Sequence, residues 1–332
     1  MRSSITALAV IAVVLNSPAL AEDAVLRLEK KISLGEVGGR IDHLAVDLKR
    51  NRLFVAELEN DTVGVVDLDS DKVIRVISGL KSPQGVGYHA LTNTLFVANG
   101  GDGTVAIIEG DNYRRVARLP LGADADNVRI DAVGGHVVVG YGDGALASID
   151  PMRQIKTHDI KLQAHPESFQ IDQSSNRIFV NDPTNEGIAV IDRTLGKQVA
   201  AWPTGNGSNF PMALNQEARH VLVAFRKPAE LRAFSMENGA LAANVDLCRD
   251  ADDMFIDEKR HQLYVSCGDG FIDVFDTRHS SYPRKARVAT VAGARTSLFV
   301  PELDRLFVAV RLTSSERPAI WIFSPNTEKK GE

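Results

Sequence analysis

The sequence predicts an all-β protein, a seven-bladed β-propeller built from four-stranded antiparallel blades. Three observations lead to this fold class. An apolar tetrad recurs every 41 to 43 residues, each period holds four strand-like runs, and the last period holds only three. Periods of this length with four short strands are typical of propeller blades. We therefore expect one propeller domain over residues 22–332, preceded by a signal peptide over residues 1–21.

The tetrad is predicted to be the second strand of each blade. Seven copies with so little drift in spacing are hard to obtain by chance, and seven copies predict seven blades. The copies are Leu53-Phe54-Val55-Ala56, Leu95-Phe96-Val97-Ala98, Val137-Val138-Val139-Gly140, Ile178-Phe179-Val180-Asn181, Val221-Leu222-Val223-Ala224, Leu263-Tyr264-Val265-Ser266 and Leu306-Phe307-Val308-Ala309.

The first complete period shows the four runs of one blade. They are short, rich in Val, Ile and Phe, and separated by turn residues such as Lys49-Arg50-Asn51. This punctuation favours strands over helices. The four predicted strands are Ile41–Asp47, Arg52–Glu57, Thr62–Asp67 and Lys72–Ile77.

The last period supplies three runs, Ser297–Val300, Arg305–Val310 and Ala319–Ser324. The run Leu26–Leu34 precedes the first complete blade and belongs to no other period. We expect it to be the fourth strand of the seventh blade. Pairing the two chain ends in one blade closes the ring and removes an exposed sheet edge.

The first 21 residues read as a secretory signal. Arg2 is followed by the apolar segment Ile5–Leu15, and Ala19-Leu20-Ala21 fits a cleavage site. No later segment approaches the roughly 18 uninterrupted apolar residues of a membrane span. We expect a periplasmic or secreted protein with no membrane insertion after the signal is cleaved.

The repeats resemble the YVTN-repeat β-propeller family, which includes YncE-like exported proteins. The matching features are the Leu-Phe-Val-Ala-like second strand, the Asn/Gly/Asp turn after it, and a third strand that ends in Asp. The resemblance covers essentially the whole mature chain and implies the propeller fold and export. The third-strand endings are Val66-Asp67, Ile149-Asp150, Ile191-Asp192 and Phe275-Asp276.

Aligning the periods on the tetrad places a polar girdle at the entry end of the central channel. The positions eleven and ten residues before each tetrad are rich in charged and amide side chains, whereas deeper positions such as Val128 and Ile130 are apolar. We expect this predicted girdle to bind a ligand. Its nine residues are Asp42, His43, Gln84, Asp126, Asn127, Glu167, Asp252, Asp253 and Arg295.

Four carboxylates of the predicted girdle suggest a metal site. Asp42, Asp126, Glu167 and Asp252 offer the oxygen ligands that Ca²⁺ or Mg²⁺ prefers. With His43 or His165 added, a transition metal becomes possible. The alternative is a polar, water-filled mouth in which the aspartates cap loop amides.

A second ring of loop residues on the same face mixes aromatic and charged groups. Such a mixture suits an organic ligand or a peptide, but it also fits ordinary solvated turns. This ring comprises Glu57, Asn99, Tyr141, Asp182, Phe225 and Cys267, with Arg226 and Arg311 one residue later.

The chain has two cysteines, and both fall in the sixth period. Cys248 lies in the loop that enters this blade, and Cys267 ends its second strand. An oxidising compartment favours pairing them in a disulfide. A soft-metal or redox site is the alternative, but the sequence has no Cys-x-x-Cys motif.

No catalytic motif was found, so no residue is assigned a catalytic role. We expect a monomeric scaffold that binds a small molecule, a metal or a protein at the girdle. The alternative is a lactonase- or gluconolactonase-like hydrolase in which a cation polarises an ester carbonyl and His43 or His165 acts as base. Nucleic acid is not an expected partner, because the formal net charge is -5.

Overall fold

Seven four-stranded antiparallel sheets form the blades of a propeller in the computed structural model, which describes residues 24–326. Strand β1 (Leu26–Ser33) comes first. Blades one to three follow as β2 (Leu44–Asp47), β3 (Arg52–Glu57), β4 (Thr62–Asp67), β5 (Lys72–Ile77), β6 (Pro83–His89), β7 (Thr94–Asn99), β8 (Thr104–Glu109), β9 (Arg115–Pro120), β10 (Ala125–Asp131), β11 (His136–Tyr141), β12 (Ala145–Asp150) and β13 (Ile155–Lys161). A 3-10 turn, Leu58–Asn60, follows β3.

Blades four to seven continue the same order along the chain. Their strands are β14 (Ser168–Ile171), β15 (Arg177–Asp182), β16 (Gly187–Asp192), β17 (Lys197–Pro203), β18 (Asn209–Asn215), β19 (His220–Arg226), β20 (Ala229–Ser235), β21 (Leu241–Asp246), β22 (Ala251–Asp257), β23 (Gln262–Cys267), β24 (Phe271–Asp276), β25 (Arg284–Ala289), β26 (Ser297–Val300), β27 (Arg305–Val310) and β28 (Ala319–Pro325). The predicted fold class is confirmed.

The second and third strands of each blade form the core. The tetrad Leu53–Ala56 is fully buried on both faces of its sheet, as are its counterparts in the other blades. Both faces are covered because each blade packs against a neighbouring blade on either side, so a continuous apolar run is required rather than an alternating one. The outermost strands are edges: in β5, Ile74 and Val76 are exposed.

The first strand completes the seventh blade, as predicted. Strand β1 pairs antiparallel with β28, in the sheet order β1-β28-β27-β26. Leu26 and Ile32 are buried there. The strand ends at Ser33, one residue before the predicted end, and Leu34 continues with a hydrogen bond from its backbone N–H to the carbonyl of Pro318 at 3.0 Å.

The inner strand of blade one begins at Leu44 rather than at Ile41. Residues before it still pair with β3, but irregularly: the Asp42 N–H donates to the Ala56 carbonyl at 2.8 Å, and the Ala56 N–H donates to the His43 carbonyl at 3.1 Å. The irregular segment thus carries two residues of the predicted girdle.

The expected signal peptide, residues 1–21, lies outside the described residues. No helix within residues 24–326 is long and apolar enough to span a membrane.

Candidate functional site

The polar side chains sit where the inner strands begin, and several of these beginnings are bulged. In blades two, three and five, the inner strand has one more residue than the strand it pairs with. The extra residue lies between Pro83 and Val86, between Ala125 and Val128, and between Asn209 and Met212. Blade six has the same extra residue between Ala251 and Asp253. A bulge re-aims the side chains that it carries. These bulges hold most of the predicted girdle outside blades one and four.

These strand beginnings surround a cavity of about 380 Å³ at one end of the channel. This volume lies at the small end of the range for small-molecule sites. We use the name channel mouth for seven of its polar lining residues, which are Asp42, His43, Asp126, Asn127, Glu167, Asp252 and Asp253.

Seven of the nine residues of the predicted girdle therefore line one cavity. The other two stand beside it. The Gln84 amide donates to Asp124 Oδ1 at 2.9 Å. Arg295 forms ion pairs with Asp250 and Asp252.

His43 lies between two aspartates of the channel mouth. Its Nδ1 is 3.6 Å from Asp253 Oδ1, and its Nε2 is 3.9 Å from Asp42 Oδ1. Burial by itself lowers the pKa of His43, but Asp253, Asp42 and Asp126 outweigh burial and raise that pKa to about 10. His43 is therefore an imidazolium at neutral pH.

Asp126 and Glu167 are acidic side chains without a direct partner in the protein. Burial raises the pKa of Asp126 to about 8; His43 opposes this shift, whereas Asp42 and Glu167 add to it. Burial also raises the pKa of Glu167. Neither carboxylate has an ion pair or hydrogen bond with another side chain in residues 24–326. Both are costly groups in the free protein.

Arg226 and Arg295 neutralise the blade-six side of the mouth. The Arg226 guanidinium forms an ion pair with Asp252 and lies 3.5 Å from the centre of the Phe210 ring. Arg295 Nε lies 3.0 Å from Asp252 Oδ2. Burial raises the pKa of Asp252 to about 6, against the opposing effect of Arg295 and Arg226. Alignment placed Arg226 in the second ring, but its side chain reaches the first.

Two further arginines line the cavity and were not predicted. Arg129 extends from β10, and the only hydrogen bond of its side chain in the described residues goes to the Val128 carbonyl, at 3.1 Å. Burial lowers its pKa. Arg40 precedes blade one and lies 3.0 Å from Asp42 Oδ2. The sequence did contain a signal for Arg129, because it is a charged residue between the apolar Val128 and Ile130 in a predicted inner strand.

Several buried acceptors at the mouth have no protein donor. Asn127 is fully buried, and its Nδ2 donates to the Glu167 carbonyl at 2.6 Å, which leaves Asn127 Oδ1 without a donor. Asp42 Oδ2 is close to Arg40 but is not aligned for a hydrogen bond. Asp252 Oδ2 is likewise close to Arg295 but is not aligned for a hydrogen bond with it. Buried polar atoms are rarely left in this state without a reason.

The second ring has structural contacts rather than a shared cavity. Glu57 accepts a hydrogen bond from Thr62 at 2.5 Å, the Tyr141 hydroxyl donates to Asp159 at 3.0 Å, and Phe225 is fully buried. Asn99 Nδ2 donates to the Thr104 carbonyl across its own turn and Asn99 Oδ1 accepts from the Lys81 N–H, whereas Asp182 accepts from the Asn185 N–H in its own turn. Apart from Arg226, this ring adds nothing to the channel mouth.

The four carboxylates expected to bind a metal lie in one cavity but are spread around it. In the described part of the chain, Asp42, Asp126, Glu167 and Asp252 do not bring three ligand atoms within 4.8 Å of one another. His165, considered as a base, lies outside the cavity lining, with Nδ1 2.7 Å from the Gly142 carbonyl.

Cys248 and Cys267 form a disulfide, with a Cα–Cα distance of 5.9 Å. With Asp269 they form a compact group of potential metal ligands, but their sulfur atoms are bonded to each other and offer no thiolate. The disulfide closes the segment that carries Asp252 and Asp253, and it therefore supports one side of the channel mouth.

No protein-family model matches this chain, and no curated protein matches it in sequence. Solved structures with the same fold are numerous. One is a chain of hydrazine synthase from Kuenenia stuttgartiensis, with a TM-score of 0.71 and 16% identity over 85% of this chain and 98% of that chain. Another is a chain of a mitotic checkpoint complex, with a TM-score of 0.76 and 13% identity over 98% of this chain and 99% of that chain. At these identities the likeness shows the fold alone.

Proposed function

We propose that this protein is an exported binding scaffold that holds a small molecule in the channel mouth. The observation that carries the proposal is the set of polar groups without a direct protein partner around one cavity: the half-buried carboxyl groups of Asp126 and Glu167 and the buried amide oxygen of Asn127. Burying a carboxylate without a partner is unfavourable. If these residues served only to fill the channel, they could be apolar, or each charge could have an ion-pair partner. Asp252, on the blade-six side, does have such partners in Arg226 and Arg295.

Export is proposed from the signal-like residues 1–21 and from the YVTN-type repeats. The disulfide between Cys248 and Cys267 is in keeping with an oxidising compartment. Propellers often bind proteins, and a side chain projecting from a protein partner could enter the same cavity. The cavity itself is small, which favours a small molecule over a large peptide.

The hydrolase alternative has less support. It requires carboxylates to converge on a divalent cation, whereas the four expected ligands are distributed around the cavity wall. It also requires a base, and His43 holds its proton at neutral pH because Asp253 and Asp42 stabilise the imidazolium.

The test is the melting temperature of the mature protein with a panel of small probes from each charge class: glycerol, succinate, 1,4-diaminobutane, Mg²⁺ and Ca²⁺. A probe that binds only the folded state at a hundredfold excess over its Kd adds about 2.7 kcal/mol of stability. We expect at least one class to raise the melting temperature saturably, and we expect Glu167→Gln to reduce that rise.

Glu258→Gln is the matched control. Glu258 follows inner strand β22, at the opposite end of the channel from Asp252, and changes charge in the same way. If no probe stabilises the protein, or if both variants respond like the wild type, the proposed function is wrong.

A further inference from the structure

We infer that the ligand of the channel mouth is a small organic cation whose charge is carried on N–H groups, a primary ammonium or a guanidinium. This inference rests on the proposed function and specifies the chemical class of the ligand. It depends on the balance of charge, on the unpartnered acceptors and on the nature of the cavity walls.

The charge balance of the cavity lining favours a cation. Five carboxylates line it, against three cationic side chains, Arg40, His43 and Arg129. Arg226 and Arg295, just outside, are already engaged with Asp252 and Asp250. Asp126 and Glu167, from adjacent blades, have no ion-pair partner among the described residues. Asp126 holds a proton below about pH 8, and a cation bound beside it would stabilise its ionised form.

The unpartnered buried atoms indicate what kind of cation fits. Asn127 Oδ1 and Asp42 Oδ2 are acceptors, and each lacks a hydrogen-bond donor from the protein. Donation to such atoms requires N–H or O–H groups, and hydrogen bonds from charged donors are the stronger ones. An ammonium or guanidinium can supply several N–H donors at once.

A quaternary ammonium fits less well. Recognition of that group relies on open aromatic faces. Three aromatic residues line the cavity, Tyr88, Phe210 and Phe255. The Arg226 guanidinium covers the face of Phe210 at 3.5 Å. Tyr88 stacks on Phe54, and Phe255 packs against a buried apolar cluster. The mouth therefore offers oxygen acceptors rather than an aromatic cage.

The remaining walls suit a short apolar stem. Leu44, Val86, Val128, Met212 and Met254 line the same cavity. The volume of about 380 Å³ corresponds to roughly a dozen water molecules at about 30 Å³ each. A cationic head with a stem of a few carbons fits this space.

The experiment is isothermal titration of the mature protein at pH 7.5 with four probes: n-butylammonium, n-butylguanidinium, tetramethylammonium and n-butyrate. Mg²⁺ and Ca²⁺ are tested in parallel. We expect the first two probes to bind at least about tenfold more tightly than tetramethylammonium, which has the charge but no N–H donor. Asp126→Asn and Glu167→Gln should each weaken that binding about tenfold, and Glu258→Gln should leave it unchanged.

The possible failures are distinguishable. If butyrate binds in the titration, or glycerol or succinate stabilises the protein in the melting-temperature panel, while the N–H cations do not bind, the inference is overturned and the proposed function stands. Equal affinity for tetramethylammonium and n-butylammonium overturns the requirement for N–H donors. Binding of Mg²⁺ or Ca²⁺ that excludes n-butylammonium identifies a metal site instead. If no probe of any class binds, both proposals fall.

Discussion

His43 illustrates how the channel mouth tunes individual residues. The imidazole is surrounded by carboxylates from three blades, and these overcome the effect of burial and stabilise its protonated form. The pKa of Asp126, a short distance around the ring, is raised as well, because burial and three neighbouring acids outweigh His43. Shifts of this kind in a cleft are characteristic of functional sites, although structural networks also produce them.

Asp126 should make the stability of the protein depend on pH. Its pKa rises from 3.8 to about 8 in the folded chain, among His43, Asp42, Glu167, Asp124 and Arg129. The folded state therefore holds a proton that the unfolded state releases. This contribution to stability is complete below about pH 4 and is lost as the pH rises through about 8.

Asp126→Asn removes this dependence. We expect the free energy of unfolding of the variant to exceed that of the wild type by a margin that grows between pH 5 and pH 8.5, by up to about 4 kcal/mol, since one pKa unit is worth about 1.4 kcal/mol. Urea denaturation at the two pH values measures the difference. Asp143→Asn, at an exposed turn, is the control and should follow the wild type throughout. A constant difference between Asp126→Asn and the wild type at both pH values would contradict the assignment.

The inner strands are the elements that build the mouth. Strands β6 and β10 approach each other closely because β6 carries glycine at positions 85 and 87. A Cβ on Gly85 would lie 1.9 Å from the Asp126 carbonyl oxygen, and one on Gly87 would lie 2.6 Å from Val128. The close approach positions Asp126 and Asn127 at the channel.

Gly85→Ala should therefore disturb both stability and the site. The added methyl group meets backbone that cannot rotate away, and overpacking of this kind costs about 1 to 3 kcal/mol or more. We expect a lower urea midpoint together with weaker ligand binding. Gly38→Ala is the matched control, because its Cβ would meet only Asn60 Oδ1, at 4.0 Å. Equal midpoints for the two variants would show that β6 and β10 are free to separate.

At the scale of the whole molecule, closure of the ring holds the mouth together. Blade seven joins β1 from the start of the chain to β26–β28 from its end. Each blade is covered on both faces by its neighbours, so an incomplete blade exposes its own edge and weakens the packing on either side. The channel-mouth residues, which come from blades one, three, four and six, would then no longer be held in fixed positions relative to one another.

Deletion of Leu26–Ser33 tests this closure. The deletion removes the buried side chains of Leu26 and Ile32 and leaves β28 as an open edge. We expect the free energy of unfolding to fall by about 5 kcal/mol or more, which is comparable to the whole stability of many domains. Urea denaturation followed by circular dichroism measures it, with Leu28→Ala, at an exposed position of the same strand, as the control. An unchanged midpoint after the deletion would show that closure adds little.

Periodicity was sufficient to predict the fold. The seven tetrads, the four runs per period and the orphan first strand predicted the blades and the closure, because a repeat that packs only against its neighbours carries its structure in local pattern. The same alignment predicted which residues begin the inner strands. Seven of these residues, including Asp126 and Glu167, line the cavity that the structure shows.

Contacts between blades could be read only from the tertiary structure. Arg226 crosses from the end of β19 to Asp252 in the next blade, and Arg129 lies in the channel rather than among apolar neighbours. The protonation of His43 depends above all on Asp253, which is distant in sequence. Pattern along the chain specifies which residues belong to each strand. The distances that decide charge, hydrogen bonding and ligand chemistry arise only when seven separately encoded blades meet around one axis.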